Sequence, residues 1–196
     1  MGVPISAIIF GGRRAKLMPL VMESFDWNHG VFLGSSMGSE TTAATTGQVG
    51  VTRRDPMAML PFCGYNISDY FSHWIEMGDY LGENAPKIFN VNWFRTDDDG
   101  SFMWPGFGEN FRVLKWILAR CEGEAEGVEC EIGIIPEEID FDGLDITPEV
   151  KAELFGVDKE RWNAEIEEIQ AFYDKLDYVP EALAHEFEAL KKRVRG

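Results

Sequence analysis

Apolar residues change their spacing several times along the chain, and each change marks an element. Val3 to Phe10 is a short apolar run that reads as a buried strand, and Gly11-Gly12 ends it with backbone free to take unusual angles. Val31 to Leu33 reads as a second short strand. Ile67, Tyr70, Phe71 and Trp74 then recur at helical spacing, which predicts an amphipathic helix across NISDYFSHWIEM with its aromatic face in the core. Ile88 to Phe94 predicts another strand. After it, apolar residues at 111, 114, 117 and 118 predict a helix that Asn110 could cap. Residues 122 to 147 are acidic, Gly-rich and weakly periodic, with one strand near Ile132 to Ile135. Two amphipathic helices close the chain. Trp162, Ile166, Ile169 and Tyr173 mark the first, and Leu183, Phe187, Leu190 and Val194 mark the second. Alternating strands and helices give an α/β fold with a helical C-terminal appendage, divided into residues 1–145 and 146–196.

Length and charge narrow the class. A chain of 196 residues suits one domain with a substantial core. The net charge of −16 opposes binding to long nucleic acid, because each phosphate contact would work against the protein's own field. The charge is unevenly placed: residues 1–120 carry 10 Lys+Arg against 12 Asp+Glu, and residues 121–196 carry 8 against 22. The first 120 residues can therefore host an anion site. No apolar run reaches the length of a membrane span and no export leader is evident, so a soluble cytoplasmic protein is expected. Cys63, Cys121 and Cys130 show no C-x-x-C spacing, and His29, His73 and His185 lie far apart, so neither a disulfide framework nor a metal site is expected.

Three stretches could carry chemistry. In FGGRR, two glycines expose backbone amides at a strand end, and Arg13 and Arg14 could grip phosphate oxygens in bidentate fashion; pairing with surface carboxylates is the plain alternative. Gly34 to Gly50 is long and small-residue-rich, either a lid over a ligand or a surface excursion. The segment NWFRTDDDGSFMWPGFGEN places five aromatic rings in a loop. Phe94, Phe102 and Phe107 follow neither helical nor strand period. They could pack under the loop as a satellite core or wall a slot for a flat ligand, with Arg95 and Asn110 supplying polar contacts. No G-x-x-x-x-G-K-[ST] loop is present, and Gly106-Phe107-Gly108 lacks the third glycine of a dinucleotide fingerprint.

Five blocks in order, PISAIIFGGRR, HGVFLGSSMGSETTAA, RRDPMAMLPFCGYN, PKIFNVNWFR and FMWPGFGENFRVLKW, resemble the GTP-dependent phosphoenolpyruvate carboxykinases, most closely the bacterial type. The resemblance is dense over residues 3 to 120. It implies a mixed sheet with flanking helices and a guanine slot walled by Phe94, Phe102 and Phe107, with Asn110 touching the base. It also implies a phosphate contact at Arg13 with Arg14 close by, and a mobile lid from Glu40 through Thr41, Thr42, Ala43 and Ala44 to about Val51. Gln48 stands where the family has lysine, and Asn90 where it often has His or Phe.

The family reaction converts oxaloacetate and GTP to phosphoenolpyruvate, GDP and carbon dioxide with manganese and magnesium. The family's phosphate loop, reactive cysteine, manganese ligands and oxaloacetate-binding arginines belong upstream of PISAIIF. The resemblance therefore implies a C-terminal third that needs an N-terminal part and is inactive alone. A stand-alone purine-nucleotide module and an acidic interaction domain working through the C-terminal helices are the alternatives.

Overall fold

The computed structural model describes residues 2–42 and 50–196. Its strands are β1 (Ala7–Gly11), β2 (Val21–Glu23), β3 (Gly38–Glu40), β4 (Thr52–Arg54), β5 (Lys87–Val91), β6 (Gly127–Cys130) and β7 (Gly133–Pro136). Its α-helices are α1 (Trp27–Ser35), α2 (Ile67–Leu81), α3 (Asn110–Glu122), α4 (Pro148–Phe155), α5 (Lys159–Tyr173) and α6 (Glu181–Arg195). A mixed sheet runs β1-β5-β2-β7-β6, with β1 and β5 parallel and the other neighbours antiparallel. β3 and β4 form a hairpin of their own.

Both faces of this sheet are covered, which is why β5 is buried at four successive positions, Ile88 to Val91, rather than at alternate ones. Ile88 joins a core on one face with Phe10, Met22, Val31, Phe32 and Phe71. Phe89 and Val91 join a core on the other face with Val21, Trp104, Val113, Trp116 and Leu154. The acidic C-terminal helices belong to the first core: Trp162, Ile166, Ile169, Tyr173, Leu183, Phe187, Leu190 and Val194 are all buried there. Phe187 lies 6.2 Å from the Phe32 ring, and the Tyr173 hydroxyl shares a 2.8 Å hydrogen bond with Ser35.

Several expected elements differ. Val31 to Leu33 is not a strand but the middle of α1, because a three-residue apolar run carries no period of its own. The deciding signal is Asp26, whose carboxylate caps the helix by accepting the His29 N–H at 2.8 Å. The first strand is shorter and less buried than expected: it spans Ala7–Gly11, and of its residues only Phe10 is buried. The strand expected to reach Phe94 stops at Val91, where the Asn92 side chain takes over the pairing. Asn110 begins α3 but does not cap it. Glu109 holds the cap position, and the Asn110 Oδ1 accepts instead from the Trp104 indole N–H at 2.8 Å. β6, within the acidic stretch, and α4, just after it, were not foreseen; Thr147 caps α4, and Leu154 is fully buried.

Candidate functional site

The two parallel strands end side by side, and the chain turns away from both at the same level. Such carboxyl ends are where α/β sheets leave a crevice for ligands. Here the crevice is a cleft of about 320 Å³ lined by Gly11, Gly12, Arg13, Ser39, Trp93 and Phe94.

Close backbone approach shapes its floor. A Cβ on Gly12 would stand 2.6 Å from the Gly38 carbonyl oxygen, so only glycine fits between β1 and the β3 hairpin. Arg13 is anchored at both ends of its peptide unit: its N–H donates to Ser39 Oγ at 3.1 Å, and its carbonyl accepts from the Glu40 N–H at 2.8 Å. Its guanidinium lies over the Phe94 ring, 4.5 Å from the centroid. Arg13 Nε is buried without a hydrogen-bond partner, and among the described residues no carboxylate pairs with this side chain. A cation held on an aromatic face beside an open cleft, with no carboxylate to neutralise it, suits an anion.

The neighbouring Arg14 is disposed differently. It is buried and gives Nη1 to Glu165 Oε1 at 2.9 Å and Nη2 to Glu165 Oε2. Arg54 of β4 adds its Nη1 to the same carboxylate at 2.6 Å and its Nη2 to Glu168 at 3.1 Å. Burial pushes the Glu165 carboxyl up, but the Arg14 hydrogen bonds and the Arg14 and Arg54 charges outweigh that and leave it below the usual carboxylate range. Arg14 thus holds the fold of the β1 loop and the foot of the β3–β4 hairpin against α5.

The aromatic segment divides its rings. Thr96 bridges Phe102 across a short hairpin closed by the Ser101 carbonyl and the Asp97 N–H at 2.9 Å. Phe94 and Phe102 meet edge to face, 6.0 Å apart. Trp104 goes into the core, as a satellite core would require, while Phe102 and Phe107 stay 64% and 97% exposed. Phe107 makes no ring contact among the described residues. The cleft therefore has Phe94 brought together with Arg13, Phe102 touches Phe94 from outside the lining, and Phe107 stands apart.

Arg95 is turned inward. It is 2% exposed and donates to the Met18 carbonyl at 3.2 Å and to that of Gly156 at 3.5 Å, and burial lowers its pKa. Asn110 is occupied by Trp104. Glu40 accepts from the Ala15 N–H at 3.0 Å, and the paired backbones of Thr41 with Val51 and Gly50 extend the hairpin beyond it. Thr42 follows it directly; Ala43, Ala44 and Gln48 lie outside the described residues. Asn90 faces a separate interior cavity of about 30 Å³ beside Arg14, Trp162 and Glu165.

Sequence reading missed Asn92, Ser39 and Glu165. Asn92 joins the two loops of the cleft: its Oδ1 accepts from Arg14 and Phe94 backbone N–H groups at 3.3 and 3.2 Å, and its amide donates to the Arg14 and Met18 carbonyls at 2.7 and 3.0 Å. The expected strand ran through Asn92 to Phe94, and an Asn, depleted in strands, was the one signal that it ends earlier. Among the described residues no group of three or more His, Cys, Asp or Glu could hold a metal ion, and no helix is long and apolar enough to cross a membrane.

A glycine-floored, arginine-bearing cleft with an aromatic ring in its wall, at parallel strand ends, marks the chain as a mixed α/β domain with a candidate ligand crevice. Comparison with known proteins makes this specific. Residues 1–193 match the family described as "Phosphoenolpyruvate carboxykinase C-terminal P-loop domain". The chain is 59% identical over 98% of its length to the phosphoenolpyruvate carboxykinase [GTP] of Thermoplasma volcanium. It is 52% identical over its full length to that of Anaeromyxobacter sp. strain K, and 53% identical over 98% to that of Renibacterium salmoninarum. The chain belongs to the GTP-dependent phosphoenolpyruvate carboxykinase family. It spans about a third of the length of these relatives, 33%, 33% and 32% respectively.

Proposed function

We propose that this chain supplies the guanine-nucleotide end of a cytoplasmic carboxykinase that converts oxaloacetate and GTP to phosphoenolpyruvate, GDP and carbon dioxide, an entry step of gluconeogenesis. The observation that carries this reading is Arg13, which lines the cleft with its guanidinium over the Phe94 ring and without a carboxylate partner among the described residues. Arg13 would grip the nucleotide phosphates, with Arg14 shaping its loop from behind. Phe94 and Phe102 would take the guanine ring, and Phe107, exposed and directly after the positive-φ Gly106, would close on it with Asn110 three residues further on. The Glu40–Val51 segment, with Thr41, Thr42, Ala43 and Ala44, would cover the bound substrates and keep water from the enolate. Manganese and magnesium, when bound, supply charge neutralisation along the phosphoryl path. Their ligands are assigned to the N-terminal part, where the family resemblance implies them.

Alone, the chain is expected to bind but not to turn over. The reading as an acidic interaction domain loses support because α5 and α6 spend their apolar faces on the core. Titrating GDP and, separately, ADP against the fluorescence of Trp93, which lines the cleft, tests the proposal. Saturable binding of GDP with none of ADP, lost in Arg13→Ala, supports it. Equal binding of both would reduce it to a purine-nucleotide module without base selectivity.

A further inference from the structure

Three side chains in the cleft lining carry hydrogen-bond donors, Arg13, Ser39 and Trp93, and no carboxylate lies among them. The guanidinium and the indole can only donate, whereas a hydroxyl donates and accepts at once. Ser39 uses the accepting side: its Oγ takes the Arg13 backbone N–H at 3.1 Å. Among the described residues that is the hydroxyl's one hydrogen bond. Its O–H is therefore left to rotate toward the cleft that Ser39 lines.

Backbone contacts on both sides fix where that hydroxyl sits. Ser39 is the middle residue of β3 and pairs with Arg53 across the hairpin. Before it, Gly38 touches Gly12 so closely that no Cβ fits between them. After it, the Glu40 N–H donates to the Arg13 carbonyl at 2.8 Å, and the Glu40 carboxylate accepts from the Ala15 N–H at 3.0 Å. The hydroxyl thus stands at a set place beside Arg13 before any ligand arrives, which lowers the cost of binding one. Accepting the Arg13 N–H also polarises the O–H into a stronger donor, and a charged acceptor gains most from it.

We propose that Ser39 is a phosphate-binding residue of the cleft, its O–H donating to an oxygen of the same phosphate chain that the Arg13 guanidinium grips. The inference rests on reading the cleft as the nucleotide site and adds to it a neutral ligand contact on the β3 hairpin. A residue that merely clips the hairpin to the β1 loop needs an acceptor alone, and the two bonds through Glu40 already serve as clips. The donor is the part of Ser39 that clipping leaves unused.

The test is calorimetric titration of the 196-residue chain with inorganic pyrophosphate, GDP and ADP. Ser39→Ala removes the hydroxyl, and Ser39→Cys replaces it with a weak donor of similar size, so that one misfolded variant does not decide the matter. Each should bind pyrophosphate roughly 10-fold more weakly, and Ser39→Thr, which keeps the hydroxyl, should bind it as wild type does. Arg13→Lys retains a cation and the backbone N–H that Ser39 accepts. In that background Ser39→Ala should cost the same factor again. A loss that vanishes with Arg13→Lys would make Ser39 a mere support for the guanidinium and overturns the proposal. Unchanged affinity in Ser39→Ala or Ser39→Cys overturns it too, as does a wild-type chain that binds no pyrophosphate. Pyrophosphate binding that depends on Ser39, with GDP held no more tightly than ADP, would sink the guanine reading and leave the phosphate contact standing.

Discussion

Replacing Glu165 with Gln keeps the shape of the side chain and removes the charge on which two arginines converge. Glu165 is 5% exposed, and the Arg14 and Arg54 side chains around it are 8% and 11% exposed, so water can do little to compensate. After the substitution Arg14 keeps only the Glu40 carboxylate at 3.8 Å, and Arg54 keeps Glu168 and the Ser36 carbonyl. Removing one partner of a buried ion pair typically costs about 3–5 kcal/mol, because a charge is left without compensation. With a urea m-value of about 2–3 kcal/mol/M, the unfolding midpoint of Glu165→Gln at pH 7 should fall by roughly 1–2 M.

The pH dependence gives a sharper check. The folded carboxyl titrates below its unfolded value of 4.5, so its contribution is complete above that value and is lost as pH falls through the folded pKa. The gap between wild type and variant should therefore be full at pH 7 and close in strong acid, and other acid-sensitive groups cancel in the difference. An unchanged midpoint at pH 7, or a penalty of the same size at every pH, would refute the account of Glu165 as the counter-ion of both arginines.

His29 should dominate a second acid response: burial, aided by the Arg193 charge, lowers its pKa from 6.5 to about 3, so the unfolded chain binds the extra proton between those values and stability falls with pH across that window. From pH 7 to 5 the loss should be about 2 kcal/mol by the 1.36 kcal/mol per pKa unit rule, and His29→Gln should flatten it in pH-dependent urea melts. Gly12→Ala must push the β1 loop off the Gly38 carbonyl, with an expected loss of about 1–3 kcal/mol in thermal or urea unfolding and weaker GDP binding in the same preparation. Phe94→Ala should weaken GDP binding by about 1–3 kcal/mol, read by fluorescence titration, if the ring stacks on the base. Phe107→Ala, at an almost fully exposed position, should leave stability within about 0.5 kcal/mol in urea melts while lowering GDP affinity; no change in affinity would remove Phe107 from the slot.

The helices were legible because their apolar residues repeat with the 3.6-residue period over about two to three turns. α2, α3, α5 and α6 all appear where that repeat lies. Short runs were not: Val31 to Leu33 has the same three apolar residues whether helix or strand, and Asp26, which settles the matter, is a local signal easily passed over. The candidate site was legible as residue types in loops, two glycines, two arginines and a set of phenylalanines. Which of those residues face one another was not, because each partnership joins distant parts of the chain. Arg13 and Arg14 are neighbours of the same chemistry. Tertiary structure alone separates them, placing one over Phe94 and the other on Glu165, 151 residues further along. The same holds for the aromatic stretch, where one sequence sends Trp104 into the core and leaves Phe107 in water. Sequence by itself thus determined the long periodic helices and the chemistry at hand, since both depend on local period and side-chain type. The tertiary structure decided which charges are neutralised and which remain for a ligand, because burial and pairing are properties of the packed chain.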